Sequence, residues 1–248
     1  MLMNQTTNKL NALKLNAMAK ALDLQRANPQ LQELPFEDRF AMLVDHETQA
    51  RDTRRVGRLL KNAQLKVPGA ALEDIDFRAS RDLDKALISS LMSLEWIRRG
   101  HNLILTGPCG AGKTWLACAF ANAAARNGMP TQYFRAPRLL ENLQIAREDG
   151  SLLQLRRQLA RIKLLLLDDW GVATMTPQGR QDLFEVIDDR TNLSTVITSQ
   201  LPVASWHSYV GDPTIADAIL DRIVHRAHKI AFKGDDSMRK LQGDLPID

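Results

Sequence analysis

The chain has 248 residues, 44% of them apolar, with a formal net charge of +4, enough apolar material for the core of one α/β domain or of a domain with an appendage. No apolar stretch approaches bilayer length, and the start, Met1 to Lys9, lacks the hydrophobic core of a signal peptide, which predicts a soluble cytoplasmic protein without a membrane partner. Cys109 and Cys118 are the two cysteines; alone they cannot build a zinc site, and they are read as free thiols.

Residues 1–68 lack alternating strands and read as a small helical, basic N-terminal domain. Leu10, Leu13, Ala17, Ala21 and Leu24 fall on one helical face before Asn28-Pro29 breaks the pattern. A second helix is expected from near Pro35 past Leu60, with Phe36, Phe40, Leu43 and Val44 as its apolar stripe. Between Arg51 and Lys66 there are six basic residues and one acid. A face carrying Arg54, Arg55 and Arg58 is either a solvated surface or a phosphate contact, and the concentration of charge makes this segment the first candidate for DNA. Val67-Pro68-Gly69 reads as a linker.

From residue 69 the signals become those of a parallel α/β domain. Ser80 is the expected N-cap of a helix with Leu83, Leu87, Leu91 and Leu94 inside and an end at Gly100. The apolar run Leu103-Ile104-Leu105 leads into Gly107-Pro108-Cys109-Gly110-Ala111-Gly112-Lys113-Thr114 and then a helix-forming run. This is the phosphate-loop pattern: glycines let the backbone curl until its N–H groups converge on a phosphate, Lys113 reaches the β- and γ-phosphates, and Thr114 offers a hydroxyl to Mg²⁺. No Asp or Glu occurs between His101 and Phe134, so nothing there repels a polyphosphate such as ATP.

A strand is predicted at Thr131 to Phe134, then two helices over residues 137–161 with Leu139, Leu140, Leu143, Ile145, Leu152, Leu155 and Leu159 inside and Arg156, Arg157 and Arg161 outside. Further strands are predicted at Lys163 to Asp168, Ser194 to Ser199 and Lys229 to Phe232, with a helix from Pro177 to Arg190. Five strands with intervening helices imply a parallel sheet covered on both faces, with its ligand at the carboxyl ends of the strands. Leu164-Leu165-Leu166-Leu167 ends in Asp168-Asp169; two carboxylates at that edge point to a magnesium and water site, Asp168 holding the metal and Asp169 polarising the water. Thr198-Ser199-Gln200 closes the next strand, and the Gln200 amide is placed to hold the γ-phosphate or the water.

Together these segments resemble the AAA+ ATPases, with Walker A at Gly107 to Thr114, Walker B at Leu164 to Asp169 and a sensor position at Gln200. The helices at 137–161 look like the initiator-type insertion of the DnaA/DnaC/IstB clade, and the fewer than fifty residues after Gln200 leave little room for the usual helical lid, so no full lid is expected. Within the clade the chain is most similar to the IstB-type transposition helpers of bacterial insertion sequences, through Asp168-Asp169-Trp170-Gly171, Trp206-His207, Gly211 to Arg222, and Gly234 with Ser237 to Lys240. Asp169 departs from the glutamate usual in AAA+ proteins and has a shorter reach.

The resemblance implies an ATPase, stimulated by DNA and by oligomerisation, that assembles on duplex DNA with ATP bound and recruits the transposase of the same element. It implies that the N-terminal domain serves DNA contact and self-assembly. It also implies an arginine finger donated between subunits at Arg222, with Arg226 as the alternative and Arg239 as a late phosphate contact. A DnaC-like helicase loader shares the fold and the ATP site. A P-loop kinase of a small metabolite shares the loop, but has no use for a sensor or a finger.

Overall fold

The computed structural model describes residues 2–77 and 83–233. They form two compact units that divide between Arg58 and Leu59, nearer the N-terminus than the boundary expected after residue 68.

The first unit contains α1 (Leu2–Ala12), α2 (Asn16–Ala27), α3 (Pro29–Gln32) and most of α4 (Phe36–Ala63). The stripe from Leu10 to Leu24 is therefore two helices, because Lys14 adopts a left-handed backbone at φ 61° and turns the chain between them. Leu13 and Leu24 are exposed. Asn28 starts α3 by accepting a hydrogen bond from the Gln30 amide at 3.0 Å, the N-cap role for which asparagine is suited. Of the stripe expected on α4, only Leu43 is buried; Phe36, Phe40 and Val44 are exposed, and the two phenylalanines stack on each other. Periodicity marks an apolar face but does not say whether a partner exists to cover it.

In the second unit the end of α4 is anchored by Ala63 and Leu65. Next come α5 (Lys85–Leu91) and α6 (Glu95–Arg98), where one continuous helix was expected. Leu94 at φ 58° breaks it, and Asp84 is the N-cap, accepting from the amides of Ala86 at 2.8 Å and Leu87 at 3.1 Å. Ser80 lies outside the described residues.

The core of this unit is built from β1 (Asn102–Thr106), α7 (Lys113–Arg126), β2 (Thr131–Arg135), α8 (Ala136–Glu148), α9 (Leu152–Leu159), β3 (Leu164–Trp170) and α10 (Pro177–Asp189). It is completed by β4 (Ser194–Ser199), α11 (Trp206–Val210), α12 (Pro213–Val224) and β5 (Ala227–Ala231). All four strand pairings are parallel, in the order β2-β3-β4-β1-β5. The expected five-stranded parallel sheet with helices on both faces is thus the fold. β5 begins two residues before its expected start at Lys229.

Each central strand is apolar on both faces, and alternate residues enter different cores. Leu103, Leu105, Leu164, Leu166 and Val196 pack with Leu116, Ala117 and Phe120 of α7. Ile104, Leu165, Leu167 and Ile197 pack with α8, α9, α10 and α12 through Leu139, Leu143, Leu159, Leu183, Val186 and Ile219. The helices at 137–161 therefore cover the sheet; Ile145, expected inside, is exposed. Arg190, 2% exposed, donates to the carbonyls of Leu159, Ile162 and Ser194. This single guanidinium fastens the exits of α9 and α10 to the start of β4, and burial lowers its pKa to about 10.

Because the strands run parallel, the residues following β1, β2, β3 and β4 emerge at one edge. That edge carries the phosphate loop, Arg135, Asp168, Asp169 and Gln200.

Candidate functional site

The loop between β1 and α7 is shaped by positive φ angles at Gly107, Gly110 and Gly112, of 143°, 82° and 93°, a region that glycine enters without steric cost. At Gly107 a Cβ would stand 2.6 Å from the Phe232 carbonyl oxygen, so the loop leaves β1 against the end of β5 only with glycine there. Pro108 and Cys109 form its outer curve, Cys109 being exposed, while Ala111 is buried beneath. α7 begins at Lys113, which leaves the amides of its first turn free to meet an anion. Lys113 is 8% exposed and donates to the carbonyls of Gly107 at 2.8 Å and Pro108 at 2.7 Å. Burial lowers its pKa, with Cys109, Asp168 and Asp169 opposing the shift.

Asp168, fully buried, is the centre of the site. Its Oδ1 accepts from the Thr114 hydroxyl at 2.7 Å and from the Thr198 hydroxyl. Its Oδ2 accepts from the Tyr133 hydroxyl at 2.8 Å and lies 3.4 Å from Lys66 Nζ. Burial alone would raise this carboxyl's pKa, but the three hydroxyls and the Lys66 ammonium outweigh it and hold it below the usual carboxylate value. The same burial, joined by the Asp168 charge, drives the Tyr133 phenol upward, so it stays a donor. The Thr114 and Asp168 oxygens are the hard donors that Mg²⁺ prefers. Among the described residues no group of three His, Cys, Asp or Glu could cage a metal, so this pair fits an ion whose other ligands are phosphates and water.

Asp169 has a left-handed backbone at φ 61°. Its amide donates to Thr198 Oγ1 at 3.3 Å, and its carboxylate accepts from Arg135 Nε at 2.8 Å. Gln200 follows β4 directly and is exposed at the same edge. The Trp170-Gly171 pair sets the turn: Trp170 is buried against Trp206 and Tyr209. A Cβ at Gly171 would lie 2.6 Å from Leu201 Cδ1.

Residues 8–244 match the family described as IstB-like ATP binding protein. The chain belongs to the IstB-like ATP-binding family. It is 43% identical over 243 residues, 98% of each chain, to an insertion-sequence ATP-binding protein of Sinorhizobium fredii. It is 49% identical over 203 residues to the ATP-binding protein of insertion sequence IS1162 from Pseudomonas fluorescens, covering 82% of this chain and 88% of that one. The fold is similar to the crystal structure of the DnaC helicase loader, with TM-score 0.54 and 20% identity over 66% of this chain and 97% of that one. It is also similar to AMPPCP-bound DnaA from Aquifex aeolicus, with TM-score 0.57 and 16% identity over 74% of this chain and 57% of that one.

In this IstB-like protein the tail segment from Gly211 onward is helix punctuation. Gly211 at φ 78° ends α11, and Asp212 caps α12 by accepting from the Ile215 amide at 2.9 Å, followed by Pro213. Trp206 is fully buried. Asn102 ties the other end of α12, donating to the carbonyls of Arg222 at 3.1 Å and Ile223 at 3.0 Å.

Arg222 therefore sits at the start of β1, across a five-residue strand from the loop, roughly 15 Å away at about 3.3 Å per residue. Its guanidinium is paired with Asp188 at 2.6 Å and lies over the Phe184 ring. Arg226, on the turn before β5, is exposed. Arg239, with Gly234 and Ser237 to Lys240, lies outside the described residues.

The basic candidates differ in their surroundings. Arg156 is engaged by Glu185 at 2.9 Å and Asp189 at 2.8 Å, so the structure gives it a clamp between α9 and α10, not the outward position expected. Arg157 and Arg161 are exposed. In the first unit Arg54, Arg55 and Arg58 line one cleft with Lys14 and Arg51. Glu47, buried below, accepts from Arg51 and Arg54 and from the Ala17 and Met18 amides that open α2.

Sequence reasoning did not reach Tyr133, Lys66 or Arg135, and it placed Thr198 behind Gln200. The available signal was the pleat: Tyr133 and Asp168 both lie on the α7 face of neighbouring strands, a relation that needs the register of β2 on β3.

Proposed function

We propose that this chain is an ATPase that, with ATP bound, assembles on duplex DNA and recruits the transposase of its own insertion sequence. The observation that carries the reading is the junction at Asp168, where the phosphate loop through Thr114 and the ends of β2, β3 and β4 meet on one carboxylate. Relatives named as insertion-sequence ATP-binding proteins support the biological setting.

In this reading the amides of Gly110 to Thr114 and the Lys113 ammonium hold the β- and γ-phosphates, and Thr114 with Asp168 holds Mg²⁺. The ion supplies charge neutralisation on the transferring phosphoryl group. Asp169 accepts the proton of the water that attacks the γ-phosphorus as the bond to ADP breaks, and Gln200 orients that water. Arg222 from a neighbouring copy stabilises the charge that develops, which requires it to leave Asp188; Arg226 is the alternative. The N-terminal unit serves DNA contact and self-assembly, its arginines holding duplex phosphates together with Arg157 and Arg161. Among the described residues no helix is long and apolar enough to cross a membrane.

The test is reconstitution with the transposase of the same insertion sequence. Transposase should be retained on immobilised duplex only when this protein and an ATP analogue are both present. Retention of a replicative helicase in its place would favour the loader reading.

A further inference from the structure

A carboxylate buried as deeply as Asp168 needs a positive charge beside it as well as hydrogen bonds. The phosphate-loop lysine does not supply that charge, because Lys113 donates to the carbonyls of Gly107 at 2.8 Å and Pro108 at 2.7 Å. The ammonium at the carboxylate belongs to Lys66, whose Nζ stands 3.4 Å from Oδ2. Among the described residues Asp168 makes no other ion pair.

Lys66 is brought there by a strap that follows α4. Gln64, at φ 49°, turns the chain after Ala63, and Leu65 is buried. Pro68 and Glu73 are then fastened to α7: Asn122 Nδ2 donates to the Pro68 carbonyl at 2.8 Å, and Arg126 pairs with Glu73 at 2.9 Å. Thr114, Asn122 and Arg126 are spaced in multiples of four and share one ridge of α7. The strap along that ridge carries Lys66 to the bond that Thr114 makes with Asp168 at 2.7 Å. These fastenings hold the backbone, whereas the Lys66 side chain is 42% exposed against 0% for Asp168. The ammonium can therefore swing out while the strap stays in place.

We propose that Lys66 is a positioning residue for the metal site: its tethered ammonium holds the place beside Asp168 that a divalent cation would claim, and withdraws when Mg²⁺ arrives with ATP. Two cations on one carboxylate repel each other, and that penalty falls hardest on an ion that comes alone. A polyphosphate brings negative charge that offsets the ammonium, so the site favours the nucleotide complex of the metal over the free metal. The inference rests on Thr114 and Asp168 as the metal-holding pair, and its test separates the two.

The experiment follows Mn²⁺ binding to the full-length chain by electron paramagnetic resonance, without nucleotide and with a non-hydrolysable ATP analogue. It compares wild type with Lys66→Met, Lys66→Gln, Lys66→Arg and Asp168→Asn. Both neutral variants should raise the nucleotide-free affinity for Mn²⁺ by about two- to fivefold, the range a half-exposed ion pair can hold back, and the gain should be smaller with the analogue. Lys66→Arg keeps the charge and should bind as wild type does. Thermal melts give a second readout: Lys66→Met leaves Asp168 without its counter-charge, so it should melt lower than wild type and recover more on adding Mn²⁺. An unchanged or lower Mn²⁺ affinity in both neutral variants, or a gain no smaller with the analogue, overturns the proposal. An equal gain in Lys66→Arg does the same, since charge would then not be the cause. Undiminished Mn²⁺ binding by Asp168→Asn would overturn the metal assignment itself.

Discussion

The hydroxyl of Tyr133 donates to Oδ2 of Asp168 at 2.8 Å, reaching from the edge strand β2 into the end of β3. With Lys66 it occupies one carboxylate oxygen and leaves the other to Thr114 and Thr198. Tyr133→Phe should keep the fold and metal-free nucleotide affinity, since the ring stays and only the outer donor is lost. Affinity for a divalent ion should fall by about tenfold, the lower end for loss of a group that orients a metal ligand. Titration with Mn²⁺ followed by electron paramagnetic resonance reads this directly, and an unchanged affinity would remove Tyr133 from the site.

Asp169→Asn should bind ATP as wild type does and hydrolyse it slowly, because the amide keeps the shape but cannot take a proton. Its DNA complexes should outlast those of wild type in dissociation experiments. If turnover were undiminished, the role of base would pass to another group at the edge, Gln200 being no candidate for proton uptake but sufficient to orient water.

Arg222→Ala should leave nucleotide affinity of the isolated chain intact and lose the stimulation that assembly brings, by about 10³-fold for a finger in a phosphoryl-transfer site. Mixing it with Asp169→Asn should restore part of the activity, since a mixed interface can combine an intact base with an intact finger. A mixture as inactive as its components would assign Arg222 to the Asp188 pair within its own chain, and the same experiment on Arg226→Ala would then be decisive.

Arg157→Ala combined with Arg161→Ala should weaken duplex binding about equally on unrelated sequences and reduce the slope of log K against log[salt] by roughly one to two units. Arg156→Ala should instead lower stability by unpairing Glu185 and Asp189, with little effect on that slope. A thermal melt and a salt titration of the two variants separate these roles.

Much of this arrangement was readable in the chain. Gly107 to Thr114 and Leu164 to Asp169 are local patterns whose physics is contained in a few consecutive residues, and the alternation of apolar runs and helical stripes places the strands on either side. What the sequence could not supply was pairing at a distance. Lys66 and Asp168 are separated by 102 residues, and Arg222 and Asp188 by 34, so the arginine read as a finger for a neighbouring subunit is held by the acidic side of α10 within its own chain. The same helix takes Arg156, and Asp182 takes Arg147 from α8. The N-terminal stripe failed for a local reason: Lys14 turns left-handed between two short helices, a change of backbone that apolar spacing does not record.

The central claim, ATP-dependent binding of duplex DNA, is tested most directly by a salt titration of duplex and single-stranded binding with a non-hydrolysable ATP analogue, for wild type and Lys113→Ala. Lys113 is the ammonium assigned to the β- and γ-phosphates, and its loss should cost several kcal/mol of nucleotide binding in a partly desolvated site. Wild type should bind duplex over single strands, with a steep salt slope and only when the analogue is present, and Lys113→Ala should bind neither form tightly. Equal duplex binding by Lys113→Ala, or a wild type that prefers single strands, would contradict the account.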